Sequence, residues 1–137
     1  MTDECATAWA FFHKYDLRPV STQDAVALGA CGTRVDVVAV SGEDNVHTVL
    51  EVKRGCGKNF SNGQRWRAPF ASRAVSTHDH YVLQTLVADR MYRAKHPDRA
   101  FAAPWLIRCD GRDLYAYAPP AWALQGLPSL LAAVAAK

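Results

Sequence analysis

The chain has 137 residues, half of them hydrophobic, and a formal net charge of +3. That length and apolar content fit one domain with its own core and exclude intrinsic disorder. No apolar run approaches the ~20 residues of a membrane span and no signal-peptide pattern opens the chain, so a soluble intracellular protein without a membrane partner is expected.

Residues 2–16, TDECATAWAFFHKYD, predict a helix capped by Thr2 or Asp3, with Asp3 and Glu4 at the positive end of its dipole. Ala8, Phe11 and Tyr15 fall on the side of Glu4. Leu17-Arg18-Pro19 ends the helix, and Ala25–Leu28 reads as a short first strand before Gly29 and Gly32.

The next stretch, GTRVDVVAVSGEDNVHTVLEVKRG from Gly32 to Gly55, holds two Val-rich runs around the polar segment Ser41-Gly42-Glu43-Asp44-Asn45. This predicts a β-hairpin whose strands are covered on both faces. With the turn centred between Glu43 and Asp44, partner numbers sum to 87 and Asp36 stands opposite Glu51. Opposed Cβ atoms lie about 4.5–5.5 Å apart. Lys53, two residues on, shares the side of Glu51. Two carboxylates about 4–5 Å apart repel by roughly 3–4 kcal/mol at an effective dielectric of about 20. One proton is then retained unless cations intervene. Lys53 supplies one positive charge, and a divalent ion such as Mg²⁺ would supply the rest.

From Lys53 to Arg73 there are six basic residues and no acid, with Phe60, Trp66 and Phe70 interleaved. Basic side chains neutralise phosphates and aromatic faces stack on bases, so this irregular stretch suits DNA. Arg54, Lys58, Arg65, Trp66, Arg67 and Arg73 are the candidate contacts, and Tyr81 beyond them is another. The alternative is a loop whose aromatics anchor it to the core.

Ser76-Thr77-His78-Asp79 opens a helix from about Thr77 to Lys95, ended by His96-Pro97. Leu83, Val87, Met91 and Ala94 form its expected core stripe, with Gln84 at the edge and Tyr81, Ala88 and Tyr92 alongside. His78 and His80 read as cap-region surface residues. Trp105–Cys109 and Leu114–Ala118 flank Asp110-Gly111, a hairpin signal. Pro128 then starts a final apolar helix, SLLAAVAAK, which packs on the sheet or makes a homo-oligomer contact. Cys5, Cys31, Cys56 and Cys109 lack C-x-x-C spacing and read as reduced packing thiols. The order is helix, three strands, helix, two strands, helix: one α/β (α+β) domain over 1–137 around a mixed sheet.

Asp36, followed by Glu51-Val52-Lys53 on the next strand, resembles the D…ExK signature of the PD-(D/E)XK nuclease superfamily, with Val35 in place of the nominal Pro. The resemblance covers roughly residues 3–118 and implies a restriction-endonuclease-like core. It implies that Asp36, Glu51 and the Val52 carbonyl hold Mg²⁺ or Mn²⁺, while Lys53 orients or activates the attacking water. Many members carry another acid on the first helix; here that is Glu4, whose other reading is a solvated first-turn acid. Gln84 resembles the Gln of the Q-x-x-x-Y motif in the RecB-like and λ-exonuclease-like branch, where it helps hold the DNA end; its other reading is an ordinary boundary residue. Ala88 stands where that motif has Tyr, with Tyr81 and Tyr92 flanking the same face. Some relatives hold an iron–sulfur cluster on four cysteines, but the clustered C-terminal cysteines are missing here. The implied activity is Mg²⁺-dependent hydrolysis of DNA phosphodiesters by an exonuclease or DNA-end-processing enzyme, like small members from phages and large DNA viruses. The alternatives are a Holliday-junction resolvase and a non-catalytic DNA-binding or assembly module on the same fold.

Overall fold

Thr48, Val49, Leu50 and Glu51 are buried in succession, which marks their strand as covered on two sides. The computed structural model describes residues 3–42, 45–54, 61–66, 69–70, 73–110 and 113–136; the side chains of 3–5, 61–64 and 74–75 are outside that set. In chain order the elements are α1 (Asp3–Lys14), β1 (Leu17–Leu28), β2 (Cys31–Ser41), β3 (Val46–Arg54), β4 (Ser61–Arg65) and β5 (Ala74–Ser76). After them come α2 (Thr77–Lys95), β6 (Ala100–Phe101), β7 (Trp105–Asp110), β8 (Asp113–Tyr117) and α3 (Ala121–Ala135).

An open mixed sheet runs β1-β2-β3-β7-β8, with the short β6 also along β3. The β1–β2, β2–β3 and β7–β8 pairs are antiparallel, whereas β6 and β7 lie parallel to β3. A parallel return needs a long crossover, and α2 supplies it. The strands β4 and β5 form a separate two-stranded sheet. The protein is thus an α+β domain, with three helices among the described residues.

The two faces of the sheet carry different helices. Phe11 of α1 packs with Leu50, Ile107 and Cys109. On the other face, Val82, Leu83 and Leu86 of α2 and Ala123 and Leu127 of α3 close over Leu106 and Phe70. Farther along α2, Ala88, Met91 and Tyr92 pack on Val26, Val35, Val38 and Val49. Side chains alternate along β3, so Glu51 and Lys53 face α2 with Val49, while Leu50 and Val52 face α1. Close approach fixes one glycine: a Cβ on Gly126 would run into the ring of Phe70.

Three expectations are corrected. The first strand is Leu17–Leu28, not Ala25–Leu28. Pro19 is admitted because β1 is an edge strand, and the register shifts between Pro19 and Ser21. The basic stretch is not wholly irregular, since β4 lies within it and pairs with β5 just beyond it. The last helix begins at Ala121, with Pro120 as its N-cap and Pro128 inside it. Burial of Ala123 and Leu127 against α2 offsets the roughly 3 kcal/mol that an interior proline costs. That packing is with the chain's own core.

The α2 boundaries are the expected ones, and the Ser76 hydroxyl accepts the Asp79 N–H at 3.1 Å. Its buried side is rotated from the expected stripe. Leu83 and Met91 are buried, but Ala94 is exposed, while Thr85 and Asp89 are buried. The Thr85 hydroxyl donates to the Tyr81 carbonyl at 2.7 Å, and Asp89 pairs with Arg90 and Arg93 at 3.0 and 2.9 Å. Polar residues paired in this way hide a core face from a hydrophobic count, even though Asp89 Oδ1 itself has no hydrogen-bond partner. No helix among the described residues is long and apolar enough to cross a membrane.

Candidate active site

The β2–β3 ladder has the expected register, running from Val40↔His47 to Val37↔Leu50, pairs whose numbers sum to 87. It ends one pair short of Asp36 and Glu51, so these two are not ladder partners as the hairpin argument expects. At that point the Asp36 side chain replaces the ladder: Oδ2 accepts the Val52 backbone N–H at 2.9 Å. The β1–β2 pairing also skips here, from Thr22↔Val37 to Asp24↔Val35. Gln23, in the gap, has a left-handed backbone with φ of 53°, and its Nε2 donates to Asp36 Oδ1 at 3.3 Å. Such a conformation is uncommon without glycine, and strain of this kind gathers at functional sites. Asp36 is therefore held by both oxygens at a place where the β2–β3 ladder ends and the β1–β2 ladder omits one pair.

Glu51 is 1 % exposed, on the strand next to Asp36. Burial, and then the charge of Asp36 beside it, push its carboxyl from 4.5 up to about 7. Lys53 acts in the opposite sense, its Nζ 3.7 Å from Glu51 Oε1. Glu51 Oε2 is buried with no hydrogen-bond partner in the structure. An acceptor buried this way is costly unless a proton or a cation occupies it.

Above the pair, α2 supplies a cover. The Lys53 ammonium lies 4.9 Å from the centre of the Tyr81 ring. The Arg108 guanidinium, on the neighbouring strand, lies 5.6 Å from the same ring. His78, one turn from Tyr81, packs edge-on against Tyr117 with ring centres 4.6 Å apart. Burial, and then the Arg108 charge, hold His78 below its ordinary value.

The other sequence candidates separate. Gln84 is exposed on α2, and Ala88 is buried. Arg54 and Arg65 are exposed. Trp66 is partly buried against the cluster of Phe70 and Leu83, and its ring meets that of His80 at 4.5 Å. Arg73 pairs with Asp79 at 3.1 Å and stacks 3.9 Å over the Trp122 ring. Trp66, Phe70 and Arg73 thus anchor this stretch to α2 and α3. Lys58, Arg67, Phe60 and Cys56 lie outside the described residues, as do the side chains of Glu4 and Cys5. The helix that carries Glu4 covers the face of the sheet opposite to Glu51. Cys31 is half-buried and Cys109 is buried.

Two residues of this centre were not singled out from the sequence. Gln23 left no signal, because its importance lies in a backbone conformation. Arg108 did leave one: a lone charge inside the apolar strand Trp-Leu-Ile-Arg-Cys.

Among the described residues, no three His, Cys, Asp or Glu side chains converge as a ready metal cage. The donors at hand are two carboxylates and the Val52 carbonyl, a set that suits a hydrated Mg²⁺ or Mn²⁺ better than zinc. The partnerless Oε2 of Glu51 fits such an ion. The chain matches no family model and no curated protein.

Proposed function

We propose that the chain is a divalent-cation-dependent nuclease of the PD-(D/E)XK type, with Asp36, Glu51 and Lys53 as its centre. The observation that carries this reading is the Glu51 carboxylate: buried, beside Asp36, 3.7 Å from Lys53, with one oxygen unsatisfied. A scaffold would be better served by an apolar residue in that position. The fold is compatible with a restriction-endonuclease-like core: one helix, three antiparallel strands, a second helix, and a strand returning parallel to β3. On this reading β4, β5, β6, β8 and α3 are additions.

Asp36, Glu51 and the Val52 carbonyl would hold the cation. When bound, it would lower the pKa of a coordinated water and neutralise charge developing on the phosphoryl oxygens. Asp36 contributes a fixed negative charge, oriented by Val52 and Gln23. Lys53, steadied over Tyr81, would orient the attacking water and share its proton at Nζ. The exposed Gln84 and Arg65 would contact the strand outside the centre. Gln84 is the reason to favour an exonuclease or end-processing enzyme.

The reading is tested by digesting linear, circular, single-stranded and four-way-junction DNA with Mg²⁺ or Mn²⁺. Cleavage from ends of linear DNA alone is the expected result. Selective junction cutting would make the protein a resolvase. Binding with no cleavage of any substrate would leave a non-catalytic module and overturn the proposal.

A further inference from the structure

Gln23 stands opposite Asp36 in the sheet. The β1–β2 partners on either side, Thr22↔Val37 and Asp24↔Val35, keep one register, and the place between them belongs to these two residues. Asp36 in turn stands one place beyond the last β2–β3 partners, Val37↔Leu50, where the next residue of β3 is Glu51. Gln23, Asp36 and Glu51 thus occupy one row of positions across three strands. The row holds an amide, a carboxylate and a second carboxylate whose Oε2 is buried without a partner.

The two oxygens of Asp36 are already divided between tasks. Oδ2 accepts the Val52 N–H, and Oδ1 lies 3.3 Å from the Gln23 amide at an exposed contact. Neighbouring ligands in an octahedral Mg²⁺ shell, with bonds of about 2.1 Å at right angles, lie about 3.0 Å apart. The amide therefore stands close to where a second oxygen belongs beside an ion on Oδ1. Without a cation the amide turns an N–H to the carboxylate. With one, a half-turn about its last side-chain bond brings the carbonyl round instead.

Charge favours a neutral donor here. Asp36 and Glu51 repel each other, and a third carboxylate would add to that repulsion; among the described residues none joins them. Gln23 is also exposed, so core packing does not account for its left-handed backbone with φ of 53°. Strain of this kind is retained where a side chain must be held for a ligand.

We infer that the Gln23 amide oxygen is a neutral ligand of the divalent cation, completing a donor set with Asp36, Glu51 and the Val52 carbonyl from three adjacent strands. The cation is that of the nuclease reading, on which this inference rests. Gln23 then does more than steady Asp36: it exchanges a hydrogen bond for a metal bond when the ion arrives.

The experiment labels the glutamine side-chain carbonyls of the full chain with ¹³C, adds Mn²⁺ at mildly alkaline pH and records electron–nuclear double resonance. A carbonyl oxygen on Mn²⁺ sets its carbon about 3 Å from the ion. An amide that only donates to Asp36 leaves that carbon beyond about 4 Å. The parent should show the short distance, and Gln23→Met should lose it. Gln23→Met and Gln23→Gly should each bind Mn²⁺ about tenfold more weakly, and Gln23→Glu more tightly. Glycine accepts the left-handed backbone without strain, so Gln23→Gly decides the matter if the methionine variant does not fold.

A parent carbon beyond about 4 Å, or Met and Gly variants that bind Mn²⁺ as tightly as the parent, would overturn the inference. A parent that binds no Mn²⁺ would overturn it together with the nuclease reading. Otherwise the two fail separately. Ligation by Gln23 in a chain that cuts no DNA refutes the nuclease reading alone, and cation-dependent cutting with no short carbon distance refutes this inference alone.

Discussion

The Asp36 carboxylate accepts the backbone N–H of Val52 at 2.9 Å, so one side chain closes the hairpin where its ladder stops. The same contact sets the carboxylate beside Glu51. A bond that serves structure and site together can be separated by substitution. Asp36→Asn keeps an acceptor oxygen for Val52 and removes the charge; Asp36→Ala removes both. The alanine variant should lose about 1–3 kcal/mol, the cost of a stranded buried donor, and the asparagine variant much less. Urea denaturation measures both. Equal stabilities would mean that the Val52 contact does not hold the strand end.

Glu51 makes folding depend on pH. Its carboxyl rises from 4.5 to about 7 on folding, so between those values the folded chain holds a proton that the unfolded chain has released. Stability therefore falls as pH rises through that window. The contribution is complete below about 4.5 and gone above about 7, a change on the order of 3 kcal/mol. Glu51→Gln flattens this part of the profile and should unfold at a higher temperature than the parent at about pH 8. A bound cation competes with the proton, so Mg²⁺ should stabilise the parent more at about pH 8 than at about pH 5.5. Thermal melts across pH, with and without Mg²⁺, check both statements.

The basic stretch divides into anchors and contacts. Trp66→Ala removes a ring packed on His80 and the Phe70 cluster, and should cost about 1–3 kcal/mol of stability. Arg65→Ala should cost less stability than Trp66→Ala, since Arg65 is exposed. If Arg65 meets a phosphate, that variant also lowers the salt slope of DNA binding by about one. Denaturation together with salt-dependent binding separates the roles. A Trp66 variant as stable as the parent but weaker on DNA would return the ring to base stacking.

Asp89 is fully buried on α2 between Arg90 and Arg93, and Arg93 also donates to the Ala102 carbonyl at 2.9 Å. Burial pushes its carboxyl up while the two arginines oppose the rise. Asp89→Ala leaves the arginines without their common partner and should cost about 1–3 kcal/mol, since both arginines keep access to water. Asp89→Asn, which keeps the shape, should cost less. Chemical denaturation of the two variants checks the order.

The hairpin register was legible in the sequence because two Val-rich runs around a short polar segment admit few pairings. The α2 boundaries were legible for a similar reason, Ser76 and His96-Pro97 being local signals. What escaped depends on tertiary context. Pro128 reads as a helix start until the burial of Ala123 and Leu127 shows what holds the helix through it. Pro19 reads as a break until β1 proves to be an edge. Asp89 and Thr85 lie outside the expected apolar stripe, and only their partners explain their burial. In the site, the sequence supplied Asp36, Glu51 and Lys53 from strand periodicity. It could not supply Gln23, whose contribution is a backbone angle, or Arg108, which reaches Lys53 only across the parallel pairing of β3 with β7.

The most direct test compares cleavage of linear DNA by the parent and by the combined Asp36→Asn, Glu51→Gln, Lys53→Ala variant, each with Mg²⁺ or Mn²⁺. The account predicts cation-dependent cutting by the parent and none by the variant, with DNA binding retained because removing anions eases the approach of phosphate. Lys53→Ala alone should keep cation binding and lose cleavage rate. A parent that cuts nothing, or a triple variant that cuts as fast as the parent, would contradict the account.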